Sequence, residues 1–144
     1  MATSIQIVFD TADPDRLAGF WADVLHYIKQ PPPSPYGSWE DFLQAAGVPE
    51  AEWNAASAIV DPSGVGPRIY FQKMDTPKPT KNRVHLDVNA GGGGRVPLEE
   101  RKARVDEEVE RLEGLGATQL RTEAGEREYW VVLADLDGNE FCVQ

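Results

Sequence analysis

Three pairs of residues, each two apart in an extended run, carry the side chains best suited to chemistry: His85 with Asp87, Glu140 with Cys142, and Tyr70 with Gln72. Alternate residues of a strand share a face, so each pair is presented together on one side of its sheet. If those sides line a cavity, with Gln6 on an earlier extended run, several acid–base groups meet there without any cofactor. An imidazole titrates near neutral pH. His85 is therefore the candidate general base, with Glu140 or Asp87 to orient it. The plain alternatives are His85 as a hydrogen-bonded structural histidine and Cys142 as a small apolar side chain filling a strand position. A nucleophilic Cys142 would need a nearby cation, with His85 as its conceivable partner.

The elements that must position these residues follow from periodicity. Residues 4–9 alternate and are rich in β-formers, with Ile5, Ile7 and Phe9 to one side and Gln6 and Val8 to the other. Asp13-Pro14 predicts a helix start, Asp13 as N-cap and Pro14 in the first turn. Leu17, Phe20, Trp21, Val24 and Leu25 then form a wide apolar stripe at helical spacing. His26 falls near the end of that helix, where a cation suits the dipole.

The run Pro31-Pro32-Pro33-Ser34-Pro35 opens an insertion over about residues 31–56. Ser38-Trp39-Glu40-Asp41 reads as a capped helix start, Gly47 as its stop, and Pro49 as the opening of another helix through Trp53 to Ala56. Tyr36, Trp39 and Trp53 either form a lid over an apolar pocket or pack the insertion onto the domain. Further strands are predicted over 57–60, 68–74, 83–89, 118–121, 129–133 and 140–143. A charged helix is predicted from about Leu98 to Leu115, with a narrow seam of Leu98, Val105, Val109 and Leu112. Its polar face reads as solvated, with ion pairs such as Glu100–Arg104. The glycine run 91–94 lacks a following Lys-Ser/Thr and reads as a flexible connector, not a phosphate loop. Asp135-Leu136-Asp137-Gly138-Asn139 reads as a turn, without the acidic ligands of a calcium loop.

Strand, helix, then strands occur twice. We read a duplicated βαβββ unit, residues 1–77 and 80–144. Gln6-Ile7-Val8-Phe9 is matched with His85-Leu86-Asp87-Val88, and Tyr70-Phe71-Gln72 with Glu140-Phe141-Cys142.

The 144 residues allow one domain, or two small halves. With 24 acidic against 14 basic residues the formal charge is −10. That field argues against nucleic acid and anionic membranes as partners. No apolar run approaches the ~18 residues of a membrane span, and the N-terminus lacks a signal-like stretch. A single cysteine excludes an internal disulfide framework and a four-thiolate zinc site. A cytoplasmic location is the expectation.

These segments resemble the vicinal oxygen chelate superfamily, which holds glyoxalase I, extradiol dioxygenases and the bleomycin- and fosfomycin-resistance proteins. The motifs are Asp13-Pro14-Asp15-Arg16-Leu17-Ala18-Gly19-Phe20-Trp21, Lys81-Asn82-Arg83-Val84-His85-Leu86-Asp87-Val88 and Asp135-Leu136-Asp137-Gly138-Asn139-Glu140-Phe141. Together with Ser38-Trp39-Glu40-Asp41-Phe42 they are most similar to the glyoxalase-like domains common in actinobacteria. The resemblance implies an α+β fold in which two tandem βαβββ modules form a curved mixed sheet around a cavity. It also implies a metal position with one residue from each of four strands, here Gln6, Gln72, His85 and Cys142, where family enzymes carry His, Glu or Gln and a final Glu. One imidazole, one thiol and two neutral amides are a weak donor set.

The expectation is thus a glyoxalase-like protein that binds or sequesters a small organic ligand without a catalytic metal. Gln6, Tyr70, Gln72, Cys142 and Trp39 would contact the ligand. Three alternatives stay open: a lyase or isomerase using His85 with a carboxylate, a divalent-metal enzyme with the four ligands above, and a structural interaction module whose cavity is filled. The resemblance implies a homodimer.

Overall fold

The computed structural model describes residues 1–144, which divide into two compact units, Met1–Pro77 and Lys78–Gln144. The first runs β1 (Ile7–Thr11), α1 (Pro14–Leu25), β2 (Ile28–Lys29), α2 (Trp39–Ala45), a 3₁₀ turn (Glu50–Glu52), β3 (Ala56–Val60) and β4 (Ile69–Lys73). The second runs β5 (Asp87–Val88), α3 (Leu98–Gly114), β6 (Thr118–Ala124), β7 (Tyr129–Ala134) and β8 (Glu140–Val143). Each unit holds one four-stranded mixed sheet, ordered β1-β4-β3-β2 and β5-β8-β7-β6. The leading strand is parallel to the closing one in both, and the other pairings are antiparallel. The fold is α+β, two βαβββ modules in tandem.

Local chemistry explains α1. The Asp13 carboxylate accepts the Arg16 N–H at 3.2 Å and the Asn54 side-chain amide at 2.8 Å. These bonds, Asn54 first, hold the Asp13 carboxyl below its ordinary pKa. At the other end His26 takes a left-handed conformation (φ 56°) and its N–H reaches Ala22 O. The stripe buries Leu17, Phe20, Trp21 and Val24 against Ile59, Ile69 and Phe71. Phe9 is sandwiched between Trp21 (5.2 Å) and Phe71 (5.5 Å). Complete burial of a side chain such as Phe71 stabilises by roughly 1.5–3 kcal/mol. In the second unit Val105, Val109 and Leu112 pack on Val131, Leu133, Phe141 and Val143.

Several expected boundaries move, each for an identifiable reason. The strand expected over 4–9 starts at Ile7, whose N–H bonds Arg68 O at 3.2 Å. Upstream there is no strand to pair with, so Gln6 precedes the strand and Ile5 is exposed rather than core. The strand expected over 83–89 contracts to Asp87–Val88. Ahead of it the Asn82 side chain takes the place of a strand partner, accepting Glu140 N–H at 2.7 Å and donating to Glu140 O at 3.2 Å. The helix expected after Pro49 is a single 3₁₀ turn. β2, only two residues long, was invisible to periodicity, while β6 extends to Ala124 across a register shift between Gln119 and Arg121.

Candidate functional site

In the first unit α1 covers one face of the sheet. The other face presents Ala58 beside Tyr70 and Ala56 beside Gln72, with Val8 and Asp10 as their neighbours on β1. Two alanines make a low floor. Around it the insertion supplies Trp39, Leu43, Val48 and Trp53, which border an open cavity of about 820 Å³. Local bonds fix these walls. Ser38 caps α2 by accepting the Asp41 N–H at 3.1 Å, the Trp39 indole donates to Gln30 O at 2.7 Å, and the Trp53 indole donates to Val48 O at 2.9 Å. Trp39 and Trp53 therefore line the cavity, whereas Tyr36 packs edge-on against Phe42 at 5.3 Å.

Arg68, two residues before Tyr70, reaches the same cavity. Its guanidinium lies 5.3 Å from the Tyr70 ring centroid and donates to Gln30 Oε1 (2.6 Å) and Gln6 Oε1 (2.5 Å). Gln6 is thus a support for Arg68 beside the cavity. Neither Gln6 nor Gln72 is among the lining residues.

The second unit gathers different chemistry. Cys142 is the register partner of Asp87, and His85 Nε2 lies 3.3 Å from Asp87 Oδ1. One ligand atom from each of the three falls within 4.8 Å of the others. They line a cavity of about 330 Å³ with Arg121, Trp130 and Val132. Burial pushes the Cys142 thiol above its ordinary pKa. Asp87, which accepts its hydrogen bond, pushes the same way against Arg121 and Lys81. A thiol so held is protonated near neutral pH, which disfavours the nucleophile reading. Glu140 also lines this cavity but is engaged elsewhere, with Lys78 Nζ at 3.0 Å and the Asn82 N–H at 3.1 Å. Burial alone would raise its pKa; those bonds outweigh it and lower the value. Of the two carboxylates proposed to orient His85, Asp87 is therefore the one in contact.

The metal position implied by the resemblance can be tested on donor chemistry within each unit. Gln6 sits beside Arg68 at the head of the ladder, and Gln72 lies four residues further along β4. That is about 13 Å of extended chain, and Gln6 is bound to Arg68, so these amides do not converge as a ligand pair. In the second unit imidazole, thiol and carboxylate do converge, and once deprotonated they suit a zinc-like divalent ion. The carboxylate is Asp87, outside the four positions expected. Strand register also corrects the internal match. Two residues beyond His85 the strand partner is Cys142, and two residues beyond Gln6 it is Tyr70. Tyr70, not Gln72, therefore corresponds to Cys142.

Arg68 and the alanine floor escaped sequence reasoning, whereas Trp53 was already paired with Trp39 as a lid or packing residue and lines the cavity. Arg68 was detectable, because its spacing from Tyr70 places both on one strand face. The enclosure required the insertion to be folded.

Similarity to known proteins agrees with this architecture. The chain matches the family described as "Glyoxalase-like domain" over residues 6–144. No curated protein matches it. Among solved structures it is similar to a variant of the fosfomycin resistance protein FosX from Listeria monocytogenes, complexed with Mn(II) and 1S,2S-dihydroxypropylphosphonic acid. That alignment has a TM-score of 0.62 and 15% identity, covering 100% of this chain and 90% of that one. FosX from Mesorhizobium loti gives 0.62 at 12% identity, covering 100% and 91%. TioX from Micromonospora sp. ML1 gives 0.53 at 12% identity, covering 99% and 97%. At such identities the structural likeness establishes the fold, and the family match supplies the remainder: this chain belongs to the glyoxalase-like domain family, built on the vicinal oxygen chelate fold.

Proposed function

We propose that this glyoxalase-like protein binds a small organic molecule in the cavity of its first module, without a catalytic metal. The observation that carries the reading is the cavity itself: about 820 Å³, open, floored by alanines and walled by two indoles whose N–H groups are already satisfied by the backbone. Apolar, aromatic-lined concavities of this size are the usual form of small-molecule sites. An open cavity also counts against the structural module, whose mark would be a space filled by side chains. The test is a protein-observed NMR screen of aromatic fragments against the full chain, with the indole N–H signals of Trp39 and Trp53 as reporters. Binders should shift those two signals, and Ala58→Leu, which fills the floor, should weaken them at least about 10-fold. Binders that leave both indoles unmoved would refute the reading.

A second reading is favoured by one observation, the convergence of His85, Asp87 and Cys142. These residues would hold a divalent ion, and such an ion supplies Lewis-acid polarisation of a bound oxygen. In its absence His85, supported by Asp87, can take a proton from a bound ligand. Turnover unchanged in His85→Ala would remove that histidine from any reaction.

A further inference from the structure

Resting on the cavity reading above, the geometry points to a ligand class: a flat organic monocarboxylate, anchored by Arg68. Two cations lie on the cavity wall. Lys29 is neutralised by a salt bridge to Asp15. Arg68 has no carboxylate partner, and the two groups it bonds, Gln30 and Gln6, are neutral amides. They fix the guanidinium plane without discharging it.

A guanidinium has five N–H donors, and the Nη2 pair is not used by either amide. Arg68 is half-buried and sits over the Tyr70 ring, so its charge is shielded from water on one side. A held, partly desolvated guanidinium with spare in-plane donors is the arrangement that recognises a carboxylate. The alanine floor and the indoles of Trp39 and Trp53 leave room for a flat apolar body next to it. Glu40 and Glu52 also line the wall, on exposed residues where water screens them. They do not cancel Arg68, and a single unneutralised cation on the wall matches a single carboxylate, which is why the class is a monoanion.

The test compares naphthalene-2-carboxylate with naphthalene-2-carboxamide on the full chain, following the Trp39 and Trp53 indole signals. Wild type should bind the carboxylate about 10- to 100-fold more tightly, the usual worth of a charge-assisted hydrogen bond. Arg68→Gln should bring the two probes within about 2-fold of each other by weakening the carboxylate alone. Arg68→Lys should keep part of the preference, and Lys29→Gln should keep it all. Should Arg68→Gln fail to fold, the Arg68→Lys ratio decides: an undiminished preference overturns the assignment. Equal affinities in wild type, or a preference that survives Arg68→Gln, overturn it while leaving the cavity reading intact. Silence of both indoles with both probes overturns the two together.

Discussion

The two modules share strand order, strand directions and a helix on one face, yet their other faces could hardly differ more. In the first, residues 30–55 separate the second strand from the third and wrap aromatic side chains around an alanine floor. In the second, residues 125–128 make the same connection as a tight turn, closed by Gly125 N–H on Glu128 O at 2.8 Å. Without that insertion the face carries a small cluster of imidazole, carboxylate and thiol. The frame is set by periodicity and core packing, whereas a module's chemistry is set by its connections and its outward strand positions.

The comparison can be broken first at the level of cores. Trp21→Ala should cost about 3–5 kcal/mol and lower amide protection in β3 and β4 before it lowers protection in β7. Hydrogen exchange read by NMR would show this, and uniform loss across both sheets would mean that the modules do not hold separate cores. Next comes metal affinity. Any zinc binding should fall at least about 100-fold in His85→Ala and in Cys142→Ser, and should be unaffected by Gln72→Ala. Competition with a chelating dye measures this, and an effect of Gln72→Ala would restore the four-residue site of Gln6, Gln72, His85 and Cys142.

A smaller effect is expected from the cap of α2. Ser38→Ala removes the bond to Asp41 N–H and should destabilise by about 1 kcal/mol. It should loosen the Trp39 wall and increase quenching of its fluorescence by acrylamide, with no change at Trp130. The smallest effects lie at the extremes of pH. In the first module Asp61 is lowered from 3.8 to about 2 by the N–H groups of Gly66 and Ser63 and by the Ser63 hydroxyl. A depressed carboxyl stabilises above its unfolded pKa and loses that contribution as pH falls through the folded value. Asp61→Asn should therefore flatten the urea midpoint between pH 3.8 and about 2. In the second module burial and the hydrogen bond to Asp106 push Tyr129 from 10.0 up to about 12. Its contribution is complete below pH 10.0 and disappears toward 12, so Tyr129→Phe should flatten the alkaline limb instead.

Much of the frame was legible in sequence because it rests on local rules. Asp13-Pro14, the α1 stripe, the Ser38 cap and the turn at Asp135 all lie where nearest-neighbour chemistry puts them. In that turn Asp135 accepts the N–H groups of Asp137 and Asn139 at 2.9 Å each, and Gly138 supplies φ 85°. The misses are residues whose state depends on a partner far along the chain. Ile5 alternates like a strand residue but has no neighbour to pair with. Glu140 carries the right chemistry for a site, yet Lys78 and Asn82 claim its oxygens.

What the amino-acid order determined alone is the repeated βαβββ pattern, the parity that puts His85 and Asp87 together, and the parity that puts Arg68 and Tyr70 together. These follow from a two-residue strand period, which needs no knowledge of the fold. Tertiary structure decided the rest. It set which strand register pairs Cys142 with Asp87, showed Gln6 and Gln72 to be too far apart to act as one, and raised an insertion of prolines and tryptophans into the walls of a cavity. Register and enclosure depend on contacts between residues dozens of positions apart, and no periodicity encodes those.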